Sequence, residues 1–142
     1  MINCSVTVMP ILNDQAIGFI RRAPTDSFPN KLVAPGGVIE FDDGELIDKV
    51  RYWAAEYAAI RELKEETNIE AHVSNLMYFC SLVLPKLERV VLSYYCMIES
   101  EDVPEGSKIE FLTFNEIKNM TDDEFAPGMR KEALLLIERE YQ

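Results

Sequence analysis

Histidine and tryptophan each occur once in this 142-residue chain, and cysteine only three times, at Cys4, Cys80 and Cys96. An odd number of widely spaced cysteines without a Cys-x-x-Cys excludes a disulfide framework or a zinc ribbon and leaves reduced core thiols. His72, the lone histidine, reads as a solvent-facing turn residue rather than a ligand. Positive charge is also scarce: 14 Lys and Arg stand against 25 Asp and Glu, a formal net charge of −11. A nucleic-acid polymer is therefore not an expected partner, because binding one needs basic patches that displace counterions. A single nucleotide remains compatible, provided that cations and a few local arginines neutralise its phosphates. No apolar run approaches the length of a membrane span, and Met-Ile-Asn-Cys at the start lacks the basic and apolar regions of a signal peptide. The expectation is a cytoplasmic protein with no membrane partner.

What is present is the composition of one globular domain over 1–142, with 48% hydrophobic and 27% charged residues. Asn3–Met9 alternates loosely as a strand, Asn13-Asp14 makes a turn, and Ala16–Arg21 is its hairpin partner. A loop rich in Pro, Ser and Asp leads to a short strand, Lys31–Ala34, which ends at Pro35-Gly36-Gly37. From Leu46 the apolar positions Val50, Trp53, Tyr57, Ile60 and Leu63 recur every three or four residues. That period predicts one long amphipathic helix to Thr67, opened by Asp42-Asp43-Gly44-Glu45 and closed by Asn68 in a left-handed conformation. Residues 76–84 and 90–98 read as an antiparallel hairpin and 109–114 as a further strand. A short helical turn over 115–120 and a closing helix over 127–141 complete the chain. Strands, helix, strands and helix in so small a chain imply an α/β sandwich with a mixed sheet.

The chemistry concentrates in Arg61-Glu-Leu-Lys-Glu-Glu66. On a helix, Glu62, Glu65 and Glu66 stand at i, i+3 and i+4, so three carboxylates share one face and repel. A solvated, charge-rich face is the ordinary meaning of such a string. A hard divalent cation that prefers oxygen ligands is the alternative that removes the repulsion. Arg61, four residues before Glu65, can hold a carboxylate through a forked hydrogen bond.

Pro35-Gly36-Gly37-Val38-Ile39-Glu40, followed by Arg61-Glu-Leu-Lys-Glu-Glu-Thr-Asn-Ile69, resembles the Nudix box, Gx5Ex7REUxEExGU with U aliphatic. Asn68 replaces the final glycine, and Gly37 and Arg61 stand ten positions further apart than the pattern allows. Matching Gly44-Glu45 to the Gly-Glu after the first loop puts about two extra residues before it and eight after. Those eight would lengthen the helix at its N-terminus, or form a bulged loop near Asp48–Arg51. Arg21-Arg22-Ala23 and Asn30-Lys31-Leu32 are similar in spacing to the stretch before the box in MutT-type enzymes, and Glu105–Phe111 resembles their loop-then-strand segment.

The resemblance implies a Nudix-type α/β/α sandwich and hydrolysis of a nucleoside diphosphate derivative by water attack on phosphorus, with Mg2+ or Mn2+ as cofactor. It implies Glu62, Glu65, Glu66, Glu105 and the Gly36 carbonyl as metal ligands, with Glu105 alternatively the general base and Glu99, Glu101, Asp102 and Glu110 in or next to the same loop as competing carboxylates. Arg61 would orient Glu65, and Arg22 and Gly37 would face the small nucleotide-type substrate. Ala34 and Met129 stand where purine-reading enzymes present an aromatic and an asparagine, so discrimination for an oxidised guanine is not implied. The alternative is a catalytically inactive Nudix-fold module that binds a nucleotide or a protein. A homodimer is the commonest assembly for soluble domains.

Overall fold

The computed structural model describes residues 3–142. β1 (Asn3–Leu12) runs through the middle of a seven-stranded mixed sheet because its side chains alternate between two apolar sets. Val6 and Val8 face one side and Met9 and Ile11 the other, all fully buried, so both faces of the strand need a covering layer. β2 (Ala16–Arg21) folds back on β1 through Asn13 and Asp14, both left-handed at φ 51° and 58°, the geometry a tight two-residue hairpin demands. β3 (Leu32–Val33) pairs with β2, and β4 (Gly36–Val38) pairs antiparallel with the first half of β1.

On the other edge of β1 lies β8 (Arg89–Ile98), parallel to it along its whole length and antiparallel to β7 (Leu76–Leu84). β9 (Glu110–Thr113) completes the sheet against β2. One face is covered by α1 (Ala54–Thr67), whose Ala58, Ala59 and Leu63 pack on Val6, Val8, Tyr94 and Cys96. The other is covered by α2 (Phe114–Asn119) and α3 (Met129–Tyr141), through Ile117, Ala133, Leu136 and Ile137 packed on Ile11, Ile17 and Phe19. The layers are α/β/α around a mixed sheet, as expected.

The long helix from Leu46 does not form, and this is the main correction to the sequence reading. Residues 45–52 form instead a separate two-stranded hairpin, β5 (Glu45–Ile47) and β6 (Val50–Tyr52), turned at Asp48 and Lys49 with φ 49° and 70°. The segment has two periods at once, and its short apolar run is shared between them. Leu46, Val50 and Trp53, assigned to a core stripe, are each more than half exposed, because the sheet face beneath α1 is already filled from Ala58 onward.

One carboxylate sits inside the α3 layer. Glu132 is buried and accepts a hydrogen bond from the Ser93 hydroxyl at 3.2 Å, and burial pushes its carboxyl above the ordinary 4.5. A folded-state value above the unfolded one means a destabilising contribution that is absent below pH 4.5 and complete once the pH exceeds the folded value. Glu132→Gln keeps the hydrogen-bonding shape without the charge. It raises the melting temperature by a few degrees at pH 8 and leaves it unchanged at pH 4, as read by thermal denaturation at the two values.

Candidate active site

The glutamates occupy the second half of α1, and the strand–loop segment 36–43 lies against them. β4 approaches the helix closely because it carries glycine where a side chain would collide. A Cβ on Gly37 would stand 2.3 Å from Glu62 Oε1, and one on Gly36 would stand 2.3 Å from the Val6 carbonyl oxygen. Stripped of side chains, the strand offers its backbone: the Gly36 amide donates to Glu66 Oε1 at 2.8 Å.

Arg61 organises the rest. Its Nε and Nη2 donate to the two oxygens of Asp43 at 2.8 and 2.9 Å, and Nη2 also reaches the Val38 carbonyl at 3.1 Å. Its Nη1 donates to Glu62 at 2.9 Å and to Glu65 at 3.4 Å. Asp43 in turn accepts from the Glu40 amide at 2.7 Å, which closes the loop before it. The guanidinium beside Asp43 holds that carboxyl below its ordinary value, and the same pairing raises Arg61. Burial pushes Glu62 upward, with Arg61 opposing. Among the described residues Glu66 has no cationic partner. Burial, reinforced by Glu62 and Glu65 and opposed by the Gly36 amide, pushes it up to about 7.

Glu65 and Glu66 form one wall of a cleft of about 520 Å³, together with Asn68, which ends α1 with φ 62°. Ile20, Arg21 and Lys108 line the same cleft, as does Gly106 in the loop before β9. That loop is pinned to the helix end by the Ser107 hydroxyl, which donates to the Thr67 carbonyl at 2.6 Å. Carboxylates and two cations thus line one cleft, and Arg21 is held there by its Nε, which donates to Glu110 at 2.8 Å, and by its Nη1, which donates to the Asn30 carbonyl at 3.1 Å.

The sequence profile described as NUDIX domain matches residues 1–134. The chain belongs to the Nudix family. No curated protein matches it by sequence. Among solved structures it is similar to a bifunctional NMN adenylyltransferase/ADP ribose pyrophosphatase from Francisella tularensis, complexed with AMP and a Mn ion. The two share 19% identity at a TM-score of 0.69, over 97% of this chain and 42% of that one. A NUDIX family hydrolase from Clostridium perfringens matches at 16% identity and TM-score 0.64, over 97% of both chains. The NUDIX domain of Shewanella oneidensis NrtR, in complex with ADP ribose, matches at 15% identity and TM-score 0.69, over 98% and 88%. The chain thus spans less than half the length of the Francisella protein, and at these identities the likeness is one of fold.

The Nudix box can now be placed on the structure. Asp43 stands six positions after Gly37, where the box has its first glutamate, and it is Asp43 rather than a residue after Gly44 that engages Arg61. The first loop therefore keeps the length of the pattern, and all ten additional residues lie between Asp43 and Arg61. Glu62, Glu65, Glu66, Gly36 and Gly37 come together as the sequence suggested. Arg61 touches Glu65, yet its fork is spent on Asp43. Arg22 turns its Nε to the Ser27 carbonyl at 2.6 Å, and its neighbour Arg21 lines the cleft. Glu105 is exposed beside Gly106 at the cleft's rim. Asp43 and Lys108 were missed. The spacing from Gly37 marked Asp43; Lys108 had no local signal, because only the fold brings its loop to the helix end.

Among the described residues no three acidic, histidine or cysteine side chains form a ready-made cage for a metal. The chemistry of the donor set, carboxylate oxygens and a main-chain carbonyl, is nevertheless that of a site for a hard divalent cation, with Glu66 pushed up by burial and by the neighbouring Glu62 and Glu65.

The two glycines have separable costs. Gly36→Ala drives a methyl group into backbone and destabilises by about 1–3 kcal/mol. Gly37→Ala meets only the movable end of Glu62 and costs less than half as much. Urea denaturation of the two variants reads the difference directly.

Proposed function

We propose that this protein is a metal-dependent Nudix pyrophosphohydrolase that cleaves the diphosphate linkage of a nucleoside diphosphate derivative. The observation that carries the reading is the cleft lined jointly by Glu65, Glu66, Arg21 and Lys108. Glu65 and Glu66 would hold a divalent cation beside the diphosphate, and such a cation would offset the burial and like charge that push the Glu66 carboxyl up to about 7.

Glu65 and Glu66 would hold Mg2+ or Mn2+, with Glu62 ligating directly or through water and the Gly36 carbonyl adding a main-chain oxygen. The bound cation supplies Lewis-acid screening of the phosphates and lowers the pKa of a water. Everything else belongs to the chain. Arg61 holds Glu62 and Glu65 at the helix face through its Nη1. Gly37 leaves the room that Glu62 occupies. Lys108 would neutralise the substrate phosphates, Arg21 would join it by exchanging Glu110 for a phosphate oxygen, and Arg22 holds the loop that follows β2. Glu105, at the rim, is the candidate for taking the proton from the attacking water or completing the ligand set.

The base-reading side favours no oxidised purine. Met129 is buried, and its sulfur accepts the Ala34 amide at 3.3 Å, so it serves packing where an amide side chain would read a base. Substrates of the ADP-ribose type suit the fold's relatives, one of which is an ADP ribose pyrophosphatase by name and another of which is complexed with ADP ribose.

Two measurements test this. Against a panel of nucleoside triphosphates, ADP-ribose, nucleotide sugars and dinucleotides with Mg2+ or Mn2+, Glu65→Gln lowers turnover by about 100-fold or more without unfolding. Turnover equal to the parent at saturating metal rules out the assignment. A cation at about 100 times its Kd stabilises the fold by ~2.7 kcal/mol. Because the cation displaces a proton from Glu66, this gain grows as pH rises through about 7. Glu66→Gln raises the melting temperature of the metal-free protein at pH 8 and removes the pH-dependent part of the metal's effect.

A further inference from the structure

The β5–β6 hairpin is not explained by the site. It is a two-stranded sheet apart from the main one, and all six of its strand residues are exposed. An isolated hairpin is at best marginally stable in water. This one is nevertheless apolar: Leu46, Ile47, Val50 and Tyr52 lie exposed on it, Trp53 follows at 54% exposure, and Phe41 just before it is fully exposed. Register puts Ile47, Val50 and Tyr52 with Glu45 on one face and Leu46 with Arg51 on the other, so the apolar surface is concentrated on the first. Monomeric proteins rarely leave such a patch uncovered.

We infer that this hairpin is a dimerisation arm, and that what covers it is the arm of a second copy of this chain. Three observations choose that occupant. The six residues expose on the order of 700 Å² per copy, close to the roughly 800 Å² per partner of a standard interface. The arm is also locally neutral in a chain of net charge −11, since Glu45 and Asp48 balance Lys49 and Arg51. Two acidic molecules can therefore meet there without repulsion, and a twofold contact lets the acids of one arm face the bases of the other. Finally, the other candidates fit poorly. An anionic membrane or nucleic acid is repelled by the whole molecule. A nucleotide in the cleft lies toward the C-terminal end of α1, about 20 Å from the helix start where the arm is rooted. The inference does not depend on catalysis.

Trp53 is the only tryptophan of the chain and sits at the arm's root, which makes its fluorescence a direct probe. On dilution of the full chain from high to low micromolar concentration, sedimentation velocity is expected to show a dimer dissociating, with a red shift of Trp53 emission and greater quenching by acrylamide over the same range. The double variant Leu46→Lys, Val50→Lys changes exposed positions outside the candidate active site. It weakens association at least tenfold with an unchanged circular dichroism spectrum. A chain that is monomeric throughout overturns the inference, as does a dimer that persists in the double variant with Trp53 freely quenched. A blue shift that appears only on adding nucleotide, without a change in mass, also overturns it and assigns the arm to ligand.

Discussion

The fork between Arg61 and Asp43 is the contact on which the site depends. A guanidinium has donors in a fixed plane, and here they are distributed over three segments: Asp43 at the end of the loop, the Val38 carbonyl at the end of β4, and Glu62 and Glu65 on the helix itself. The helix, the glycine strand and the loop are thereby locked at one relative position. Lysine could supply the charge at this place but not the plane, and could not satisfy both oxygens of Asp43 while reaching the helix carboxylates.

The same distribution explains why the cluster is electrostatically incomplete. One cation serves Asp43, Glu62 and Glu65, and Asp43 takes the largest share. Glu66, the most deeply placed of the helix glutamates, receives only the Gly36 amide, and a dipole at 2.8 Å does not offset burial beside two like charges. A structural ion-pair network would have ended with its charges balanced. This one leaves a deficit of positive charge at Glu66, which lines the cleft together with Glu65, Arg21 and Lys108.

The sequence revealed what short-range rules govern. Period-two alternation marked β1, a two-residue turn marked its hairpin with β2, and asparagine at the helix end correctly announced a left-handed residue at φ 62°. The glutamate face needed only the helical period. What stayed hidden depends on long-range placement. Arg21 and Arg22 are adjacent and chemically identical, and only the register of β2 against β3 and β9 decides that the first lines the cleft while the second holds Ser27. The inserted segment misled for a different reason. Its apolar residues satisfy a helical spacing, and periodicity assumes that an apolar residue is buried within its own chain, which Leu46, Val50 and Trp53 are not.

Why the insertion is a hairpin rather than more helix follows from the fork. Ten further residues on the N-terminus of α1 would add about 15 Å along its axis. The incoming loop would then join the helix nearly three turns too early, and Asp43 would be carried out of reach of Arg61. A hairpin avoids this by returning to its origin. Gly44, at φ 97°, packs so closely on the far end of the excursion that a Cβ would stand 2.6 Å from the Tyr52 carbonyl and 3.1 Å from the Ala54 Cα. Entry and exit are therefore one point in space, and the chain between them can lengthen at small entropic cost without disturbing what it connects. Arg51, donating to the carbonyls of Asp42 and Gly44, ties the returning strand to that point. The ten residues could thus be accommodated within the most constrained motif of the chain only as a closed excursion, and a closed excursion at this place has to project outward, because the sheet face beneath α1 is already filled.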